Sequence, residues 1–304
     1  MRAFFSDTYE LPLPPGHRFP TPKYKLLRER LVEGGVLAAE ELEESDLVDR
    51  ASLLLAHTPE YVDAVFSGTL SEADQRRLGF PWSEGLLARS RASVQGTIGA
   101  ARAALRDGVA GNLAGGTHHA YADRGAGFCV FNDIAVAART LQREGAVGRA
   151  VVVDLDVHQG DGTASIFEGD ESVFTFSMHG AKNFPFRKQR SSLDVDLPDG
   201  CGDAEYLDAL ERHLPVALDR ARADILFFQA GVDPLEHDTL GRLKLSLSGL
   251  RERDRRVALA ARERGIPLVL TLGGGYARPI SLSVEAHAGT WREARAAFGT
   301  WAGR

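Results

Sequence analysis

Apolar residues along the chain fall into two patterns, short β-rich runs and longer stretches with helical spacing. Runs of β-branched and aromatic residues predict buried strands at 3–5, 151–154, 173–177, 225–229 and 267–272. Helical spacing predicts helices at 23–33, 40–56, 86–106, 133–144, 204–222 and 248–264. Because strands and helices alternate, the pattern predicts an α/β fold with a mainly parallel central sheet flanked by helices on both faces.

Local signals refine several of these elements. Thr58 followed by Pro59 predicts the start of a further helix, and Ser248 is expected to cap the helix at 248–264. Pro215 is expected to kink or divide the helix around it. The run N-L-A at 112–114 resembles a strand, and a last helix is expected to reach the C-terminus.

Composition limits the classes of protein that the chain can belong to. With 304 residues, of which 44% are hydrophobic, it can bury a large core. No linker or low-complexity tract divides it, which favours a single domain over 1–304 rather than two small ones. It shows no signal peptide or membrane span, and Cys129 and Cys201 cannot form a disulfide framework, so we expect a cytoplasmic protein.

The net charge is −6. This balance argues against nonspecific binding to nucleic acid. It is compatible with a cationic substrate and equally with solubility alone. No feature of the sequence indicates the oligomeric state, and we expect neither a nucleic-acid nor a membrane partner.

Asp154, Asp156 and His158 directly follow the strand Val151–Val153, each separated from the next by one apolar residue. Side chains two apart on an extended chain point to the same side, so the strand delivers two carboxylates and an imidazole to one place. Burying ionised groups is costly unless a cation compensates them, and these ligand types suit zinc or another divalent first-row ion. Three protein ligands leave positions for water and substrate, which is typical of catalytic sites.

Other unusual polar residues also follow predicted strands, and in parallel sheets ligands bind outside the carboxyl ends of the strands. These residues are His118, His119, Asp161, Ser177, Met178, His179, Asp233 and Tyr276. Two adjacent histidines could accept and donate protons near neutral pH, although either could be an ordinary surface residue. Gly273–Gly275 could cradle a phosphate or present the Tyr276 hydroxyl to an oxyanion. Asp233 alone could be only a helix cap, and Cys129 more simply packs as a small hydrophobe.

Together these motifs resemble the histone deacetylase superfamily, whose fold is related to arginase. The matching segments are G-G-T-H-H at 115–119, G-F-C-V-F-N-D at 127–133, D-L-D-V-H-Q-G-D-G at 154–162, S-M-H at 177–179, A-G-V-D-P-L-E-H-D at 230–238 and G-G-G-Y at 273–276. They follow the family order over nearly the whole chain. The segments around 78–83 and 234–243 look most like the class IV branch and its bacterial relatives.

The resemblance implies a zinc-dependent hydrolase that removes an acyl group from an amine. Asp156, His158 and Asp233 would hold one catalytic Zn²⁺. His119 would be the general base, taking a proton from the attacking water and passing it to the leaving amine, and Asp161 would orient it.

In the same resemblance, His118 would act electrostatically, hydrogen-bonded to Asp154, and Tyr276 would donate to the developing oxyanion. Gly127, Phe128 and Phe184 would line a narrow tunnel around the aliphatic stem of the substrate.

A structural potassium ion is also implied by the resemblance. Asp154, the backbone around Asp156, His158 and Met178, and the Ser177 hydroxyl match the family's inner K⁺ site. The alternative is a plain hydrogen bond between Asp154 and a histidine.

The substrate implied by the resemblance is an acylated lysine or an acylated small amine. Leu240 lies near the position where polyamine-selective relatives carry an acidic residue, which disfavours a spermidine-type substrate. The sequence does not distinguish between acetyl and longer fatty acyl groups as the group removed, or between zinc and iron as the metal. Two rivals are an arginase-like ureohydrolase with paired manganese, disfavoured by the D-x-D-x-H order, and a noncatalytic relative, disfavoured by the presence of His119 and Tyr276.

Overall fold

The computed structural model describes residues 1–299 and residue 301. Its strands are β1 (Arg2–Phe5), β2 (Leu42–Glu44), β3 (Val109–Asn112), β4 (Ala150–Asp154), β5 (Val173–Gly180), β6 (Leu193–Leu197), β7 (Ile225–Gln229) and β8 (Leu268–Thr271). They form an eight-stranded sheet in the order β2-β1-β3-β8-β7-β4-β5-β6. All the strand pairs in the sheet are parallel, so their carboxyl ends lie along one edge.

Helices cover both faces of this sheet. They are α1 (Pro22–Glu33), α2 (Arg50–Leu53), α3 (Pro59–Ser67), α4 (Glu72–Leu78), α5 (Glu84–Asp107), α6 (Asp133–Arg143), α7 (Asp161–Ile166), α8 (Asp203–Ala221), α9 (Leu247–Glu263) and α10 (Ile280–Phe298). Within the described part of the chain, no helix combines the length and apolar character needed to cross a membrane.

Strand β4 is apolar on both faces because hydrophobic residues pack against both of them. Val151 and Val153 belong to one hydrophobic cluster, shared with residues of α1, α8, α9 and α10. Val152 belongs to a second cluster, shared with residues of α3, α5 and α6. Strands that are covered on both faces read as continuous apolar runs. The predicted α/β architecture is therefore confirmed.

The helix predicted at 40–56 is wrong. Leu42–Glu44 is instead strand β2, which pairs in parallel with Ala3–Phe5 at the edge of the sheet. A 3₁₀ turn covers Ala39–Glu41, and the α-helical part is Arg50–Leu53, which Asp49 caps by accepting a hydrogen bond from the Ser52 amide. Pairing with β1 satisfies the backbone groups that a helix would otherwise have satisfied, so tertiary context overrides the local pattern.

Pro215 does not divide its helix, because α8 continues from Asp203 to Ala221. Two smaller expectations fail. Ser246, not Ser248, caps α9 by accepting from the Gly249 amide at 3.0 Å. The strand expected at 112–114 lies earlier, at Val109–Asn112, because the chain turns away from the sheet into the glycines that precede His118. Thr58 does cap α3, as predicted.

Candidate active site

Two neighbouring strands bring a cluster of metal-ligand side chains together at the carboxyl edge of the sheet. Asp156 and His158 follow β4, and Asp233 follows β7, its direct neighbour. One donor atom from each of the three lies within 4.8 Å of the others, and all three residues are buried. The sequence places Asp233 far from the other two, so only the parallel pairing of β4 with β7 joins them.

Backbone amides hold the two carboxylates in position. The Gly274 amide donates to Asp156 Oδ2 at 2.8 Å, and the Val157 amide donates to Asp233 Oδ1 at 2.9 Å. A Cβ atom on Gly274 would overlap Asp233 Oδ2, so glycine is required where this backbone approaches the carboxylates. The glycines that follow β8 therefore form one wall of the cluster.

The electrostatics of the cluster indicate a site for a cation. Burial and the neighbouring carboxylate of Asp156 raise the pKa of Asp233 to about 7. His158 Nδ1 lies 3.0 Å from both Asp156 Oδ1 and Asp233 Oδ2. Burial lowers the pKa of His158, but the two carboxylates outweigh it and raise it to about 10. A proton on His158 thus compensates two buried carboxylates, and a divalent cation bound by the same atoms would do so more completely.

His118 and His119 lie beside this cluster, and each is hydrogen-bonded to its own carboxylate. His118 Nδ1 lies 2.7 Å from Asp154 Oδ2, and His119 Nδ1 lies 2.6 Å from Asp161 Oδ1. The two imidazole centroids are 4.1 Å apart. In both histidines the carboxylate occupies Nδ1, which leaves Nε2 as the ring nitrogen available to a substrate.

The two histidines have opposite proton affinities. Burial, together with the positive field of His118, lowers the pKa of His119 to about 4 despite its bond to Asp161. Burial also acts on His118, but Asp154 and Asp156 outweigh it and raise the pKa of His118 to about 9. Near neutral pH the pair therefore consists of one neutral imidazole, able to accept a proton, and one imidazolium.

A cavity of about 470 Å³ connects the metal-ligand cluster with the surface. Its walls include all the residues predicted for the tunnel, namely Gly127, Phe128, Phe184 and Leu240. The Phe184 ring packs edge-on against His119, with centroids 4.9 Å apart. Phe128 adopts a left-handed backbone conformation, with φ of 67°, which is uncommon outside glycine and is found at functional sites.

Tyr276 lines the same cavity as Asp156, His158 and Asp233. Its backbone is held on both sides, because its amide donates to Asp238 Oδ2 at 2.6 Å and its carbonyl accepts from Thr239 Oγ1 at 2.9 Å. Burial raises the pKa of the Tyr276 hydroxyl well above its usual value. The hydroxyl is therefore protonated and able to donate at physiological pH.

The residues predicted for a potassium site are adjacent in the sheet. Asp154 lies opposite Ser177 in the β4–β5 ladder. Asp154 Oδ1 accepts from the Asp156 amide at 3.2 Å, and the Ser177 hydroxyl contacts His179 Nδ1 at 2.9 Å. The hydrogen bond between Asp154 and His118, which was the alternative interpretation, is present, and the potassium site stays a prediction.

Several residues at the site carry no clear signal in the sequence. The Tyr121 hydroxyl donates to Asp161 Oδ2 at 2.8 Å, and the buried Lys23 donates to the Gly273 carbonyl at 3.2 Å. Asp133, at the start of α6, accepts from the amides of Gly116 and Thr117 at 3.0 and 2.7 Å. An acidic residue opening a helix close to a glycine pair could have suggested this last contact, whereas Lys23 lies far from the motifs along the chain.

Known proteins provide an independent comparison. The histone deacetylase domain family matches residues 17–290. The chain is 48% identical over 291 residues to an uncharacterized protein of Picosynechococcus sp., covering 96% of this chain and 97% of that one. It is 33% identical over 282 residues to histone deacetylase 2 of Arabidopsis thaliana, covering 88% of this chain and 73% of that one.

Solved structures agree on the fold. A histone deacetylase homologue crystallised with SAHA superimposes with a TM-score of 0.82 at 24% identity, covering 98% of this chain and 88% of that one. A homologue from Aquifex aeolicus gives a TM-score of 0.81 at 23% identity, with the same coverage of both chains. The extent of the family match and the identity to the Arabidopsis protein establish the relationship: the chain belongs to the histone deacetylase family and is a deacetylase enzyme.

Proposed function

We propose that the protein is a zinc-dependent deacylase that hydrolyses the amide between an acyl group and the side-chain amine of lysine or a related small amine. The observation that carries this proposal is the cluster of Asp156, His158 and Asp233, whose donor atoms lie within 4.8 Å of one another at the base of a cavity. His119 and Tyr276 line the same cavity.

The donor set fits zinc. Two carboxylates and one imidazole are ligands that zinc accepts, and three protein ligands leave it coordination positions for water and substrate. When bound, zinc polarises the substrate carbonyl and lowers the pKa of water to about 7. The amides of Gly274 and Val157 orient the two carboxylates, so each presents a fixed oxygen to the ion.

Proton transfer falls to His119. Asp161 occupies His119 Nδ1 and so directs Nε2 towards the cavity. The lowered pKa keeps the imidazole neutral at physiological pH, so it can take a proton from the attacking water. Returning that proton to the amine nitrogen assists the departure of a poor leaving group. The Tyr121 hydroxyl, bound to the other oxygen of Asp161, stabilises this orientation.

Charge on the carbonyl oxygen is stabilised by Tyr276 and His118. The Tyr276 hydroxyl is protonated and supplies a directed hydrogen bond to the developing oxyanion. His118, protonated beside Asp154, adds positive charge close to the reacting groups. The negative charge on the carbonyl oxygen is larger in the transition state than in the bound substrate. Both interactions are therefore stronger in the transition state.

Substrate binding falls to the tunnel. Gly127, Phe128 and Phe184 surround a narrow apolar passage suited to the methylene chain of lysine. Leu240 contributes an apolar side chain to the same wall. An apolar Leu240, near the position where polyamine-selective relatives carry an acidic residue, supports lysine over spermidine-type substrates.

A bound potassium ion is part of the proposal. Asp154, with the carbonyls of Asp156, His158 and Met178 and the Ser177 hydroxyl, offers the oxygen ligands that such an ion requires. The adjacency of Asp154 and Ser177 in the sheet supports this role. The ion would stabilise the turn that carries Asp156 and His158.

Two experiments test the proposal together. Metal analysis of the purified protein should give one zinc per chain, and the zinc enzyme should hydrolyse acetyl-lysine or myristoyl-lysine peptides with inhibition by a hydroxamate. A ureohydrolase would instead contain two manganese ions and release urea from guanidino compounds. A noncatalytic relative would bind metal without turnover on any acyl-lysine or acetyl-polyamine in the panel, and either result would contradict the proposal.

A further inference from the structure

Arg89 is a buried cation that lines the same cavity as the metal-ligand cluster. It lies on α5, is 9% exposed, and borders the cavity together with Tyr24 of α1 and Ser93. Neither proton transfer nor oxyanion stabilisation, as described above, involves this residue. Its place in the wall of the catalytic cavity therefore requires another explanation.

The partners of Arg89 are neutral. Nη1 donates to the Ser6 carbonyl at 3.1 Å, and the guanidinium carbon lies 4.5 Å from the centre of the Tyr24 ring. Asp7, whose charge reaches Arg89 over a longer distance, is already paired with Arg28 at 2.8 Å. Among the residues that the structure describes, no carboxylate forms an ion pair with Arg89.

Arg253 provides a comparison inside the same molecule. It is also fully buried, but its Nε donates to Asp254 at 2.7 Å, and Nη1 donates to the Leu155 and Gly231 carbonyls. A buried charge without a counter-ion is costly, and most buried cations are paired as Arg253 is. Because Arg89 borders a cavity and Arg253 does not, the missing counter-ion of Arg89 can come from a ligand.

Aromatic rings connect Arg89 with the reacting end of the cavity. The Tyr24 ring contacts Arg89 and also lies 5.3 Å from Lys23 Nζ. Lys23 Nζ in turn lies 5.7 Å from the centre of the Tyr276 ring. Lys23 thus joins Tyr24 to Tyr276, and the guanidinium of Arg89 adds a buried positive charge to the cavity wall, which suits an anion better than a wholly apolar chain.

We propose that Arg89 binds a carboxylate at the far end of the substrate's acyl group, so that the enzyme accepts dicarboxylic acyl groups such as succinyl, glutaryl or adipoyl. This inference rests on the proposed deacylase function and assigns its acyl specificity. Water adds across the amide, so the C–N bond breaks, a C–O bond forms and one hydrogen passes to nitrogen. The products are the amine and a free dicarboxylate, and no other reactant is required.

The test compares matched lysine peptides on the full-length zinc enzyme. Succinyl-lysine is paired with butyryl-lysine. Glutaryl-lysine and adipoyl-lysine are each paired with the acyl-lysine of the same length whose chain ends in a methyl group. At least one dicarboxylic substrate should have a kcat/KM about tenfold or more above its methyl-ended partner, the gain expected of a charged hydrogen-bonded pair in a buried site. Arg89→Met should remove this preference, and Arg89→Lys should retain part of it.

Arg91→Met is the matched control. Arg91 lies on the same helix and also donates to a backbone carbonyl, that of Val48 at 2.8 Å, but it does not line the cavity. Its substitution should leave the preference for the carboxylate unchanged. Thermal unfolding of each variant shows whether it is folded. Calorimetric titration of the zinc-loaded Tyr276→Phe protein with N-methylsuccinamate, where hydrolysis is largely suppressed, should show binding that adding Arg89→Met weakens about tenfold.

Other outcomes separate the possible failures. In the first, the enzyme hydrolyses methyl-ended acyl peptides, shows no preference for a carboxylate, and has the same activity after Arg89→Met. This result would overturn the inference about Arg89 but would be consistent with the proposed deacylase function. A second outcome is that free acetate or butyrate inhibits the enzyme, that Arg89→Met weakens this inhibition, and that dicarboxylic substrates are not preferred. This outcome would show that Arg89 binds the released product, and it would overturn the acyl assignment. No hydrolysis of any acyl peptide would contradict the proposed function itself.

Discussion

The base and the outer wall of the catalytic cavity are built on opposite principles. At the base, Asp156, Asp233 and His119 are almost completely buried, and their polar atoms are held by backbone amides or by a paired carboxylate. At the outer wall, Phe184 is 37% exposed and its neighbour Phe186 is 87% exposed. Charged groups are thus fixed in the interior, while apolar groups remain in contact with solvent.

This difference separates two tasks. Buried charges in fixed positions are costly to create but need no reorganisation during the reaction, which favours catalysis. Exposed aromatic side chains contribute to substrate binding only through the apolar surface that the substrate buries, and this contribution to the binding free energy is modest. We therefore expect substitutions at the base to abolish chemistry and substitutions at the outer wall to change substrate binding.

The largest effect is expected for Asp156→Asn. Asparagine is neutral and keeps only one oxygen, so it cannot both accept from the Gly274 amide and offer a charged oxygen to the metal, and zinc affinity should fall by more than the about 10–100-fold typical for loss of a ligand's hydrogen-bonding partner. Chelator competition measures that affinity, and turnover should fall with it. Asp63→Asn, in an exposed ion pair with Arg50, is the control, and equal zinc affinity in both variants would contradict the assignment.

Tyr276→Phe should have the next largest effect. The substitution removes one hydrogen-bond donor, so kcat should fall on the order of 10² to 10³-fold while the zinc content stays at one per chain. KM should change little, because the hydroxyl acts mainly in the transition state. Near wild-type turnover of the zinc-loaded variant would exclude this role for Tyr276.

The smallest effect is expected at the outer wall. Phe184→Ala removes a ring that packs against His119, and KM should rise about tenfold while kcat stays within about twofold, since about 1–2 kcal/mol of apolar contact is lost. Leu26→Ala is the control, because that side chain on α1 is 40% exposed and does not line the cavity, and its KM should remain within about twofold. Steady-state kinetics gives the KM of each variant. Equal KM values for the two would contradict the assignment of Phe184 to the tunnel.

How much of this site could be read from the sequence depends on distance along the chain. Asp154, Asp156 and His158 are two residues apart, so the sequence alone groups them, although β4 ends at Asp154 and the other two lie in the segment that follows it. Asp233 reaches the same cluster only because β7 pairs with β4, and no local pattern encodes which strands are neighbours. Arg89 reaches the cavity, and Lys23 reaches the Gly273 carbonyl, through the packing of α5 and α1, which their own helical sequences do not reveal.

The sequence by itself determined the strands that are apolar on both faces and the polar residues that follow them, because hydrophobic periodicity and strand direction are local properties. It was insufficient at 40–56, where pairing with β1 replaced a helical pattern by a short strand. Tertiary structure alone decided which carboxylates share a cation site and that the guanidinium of Arg89 lies between the Ser6 carbonyl and the Tyr24 ring. Those outcomes depend on contacts between residues distant in the chain, which only the folded arrangement brings within a few ångströms.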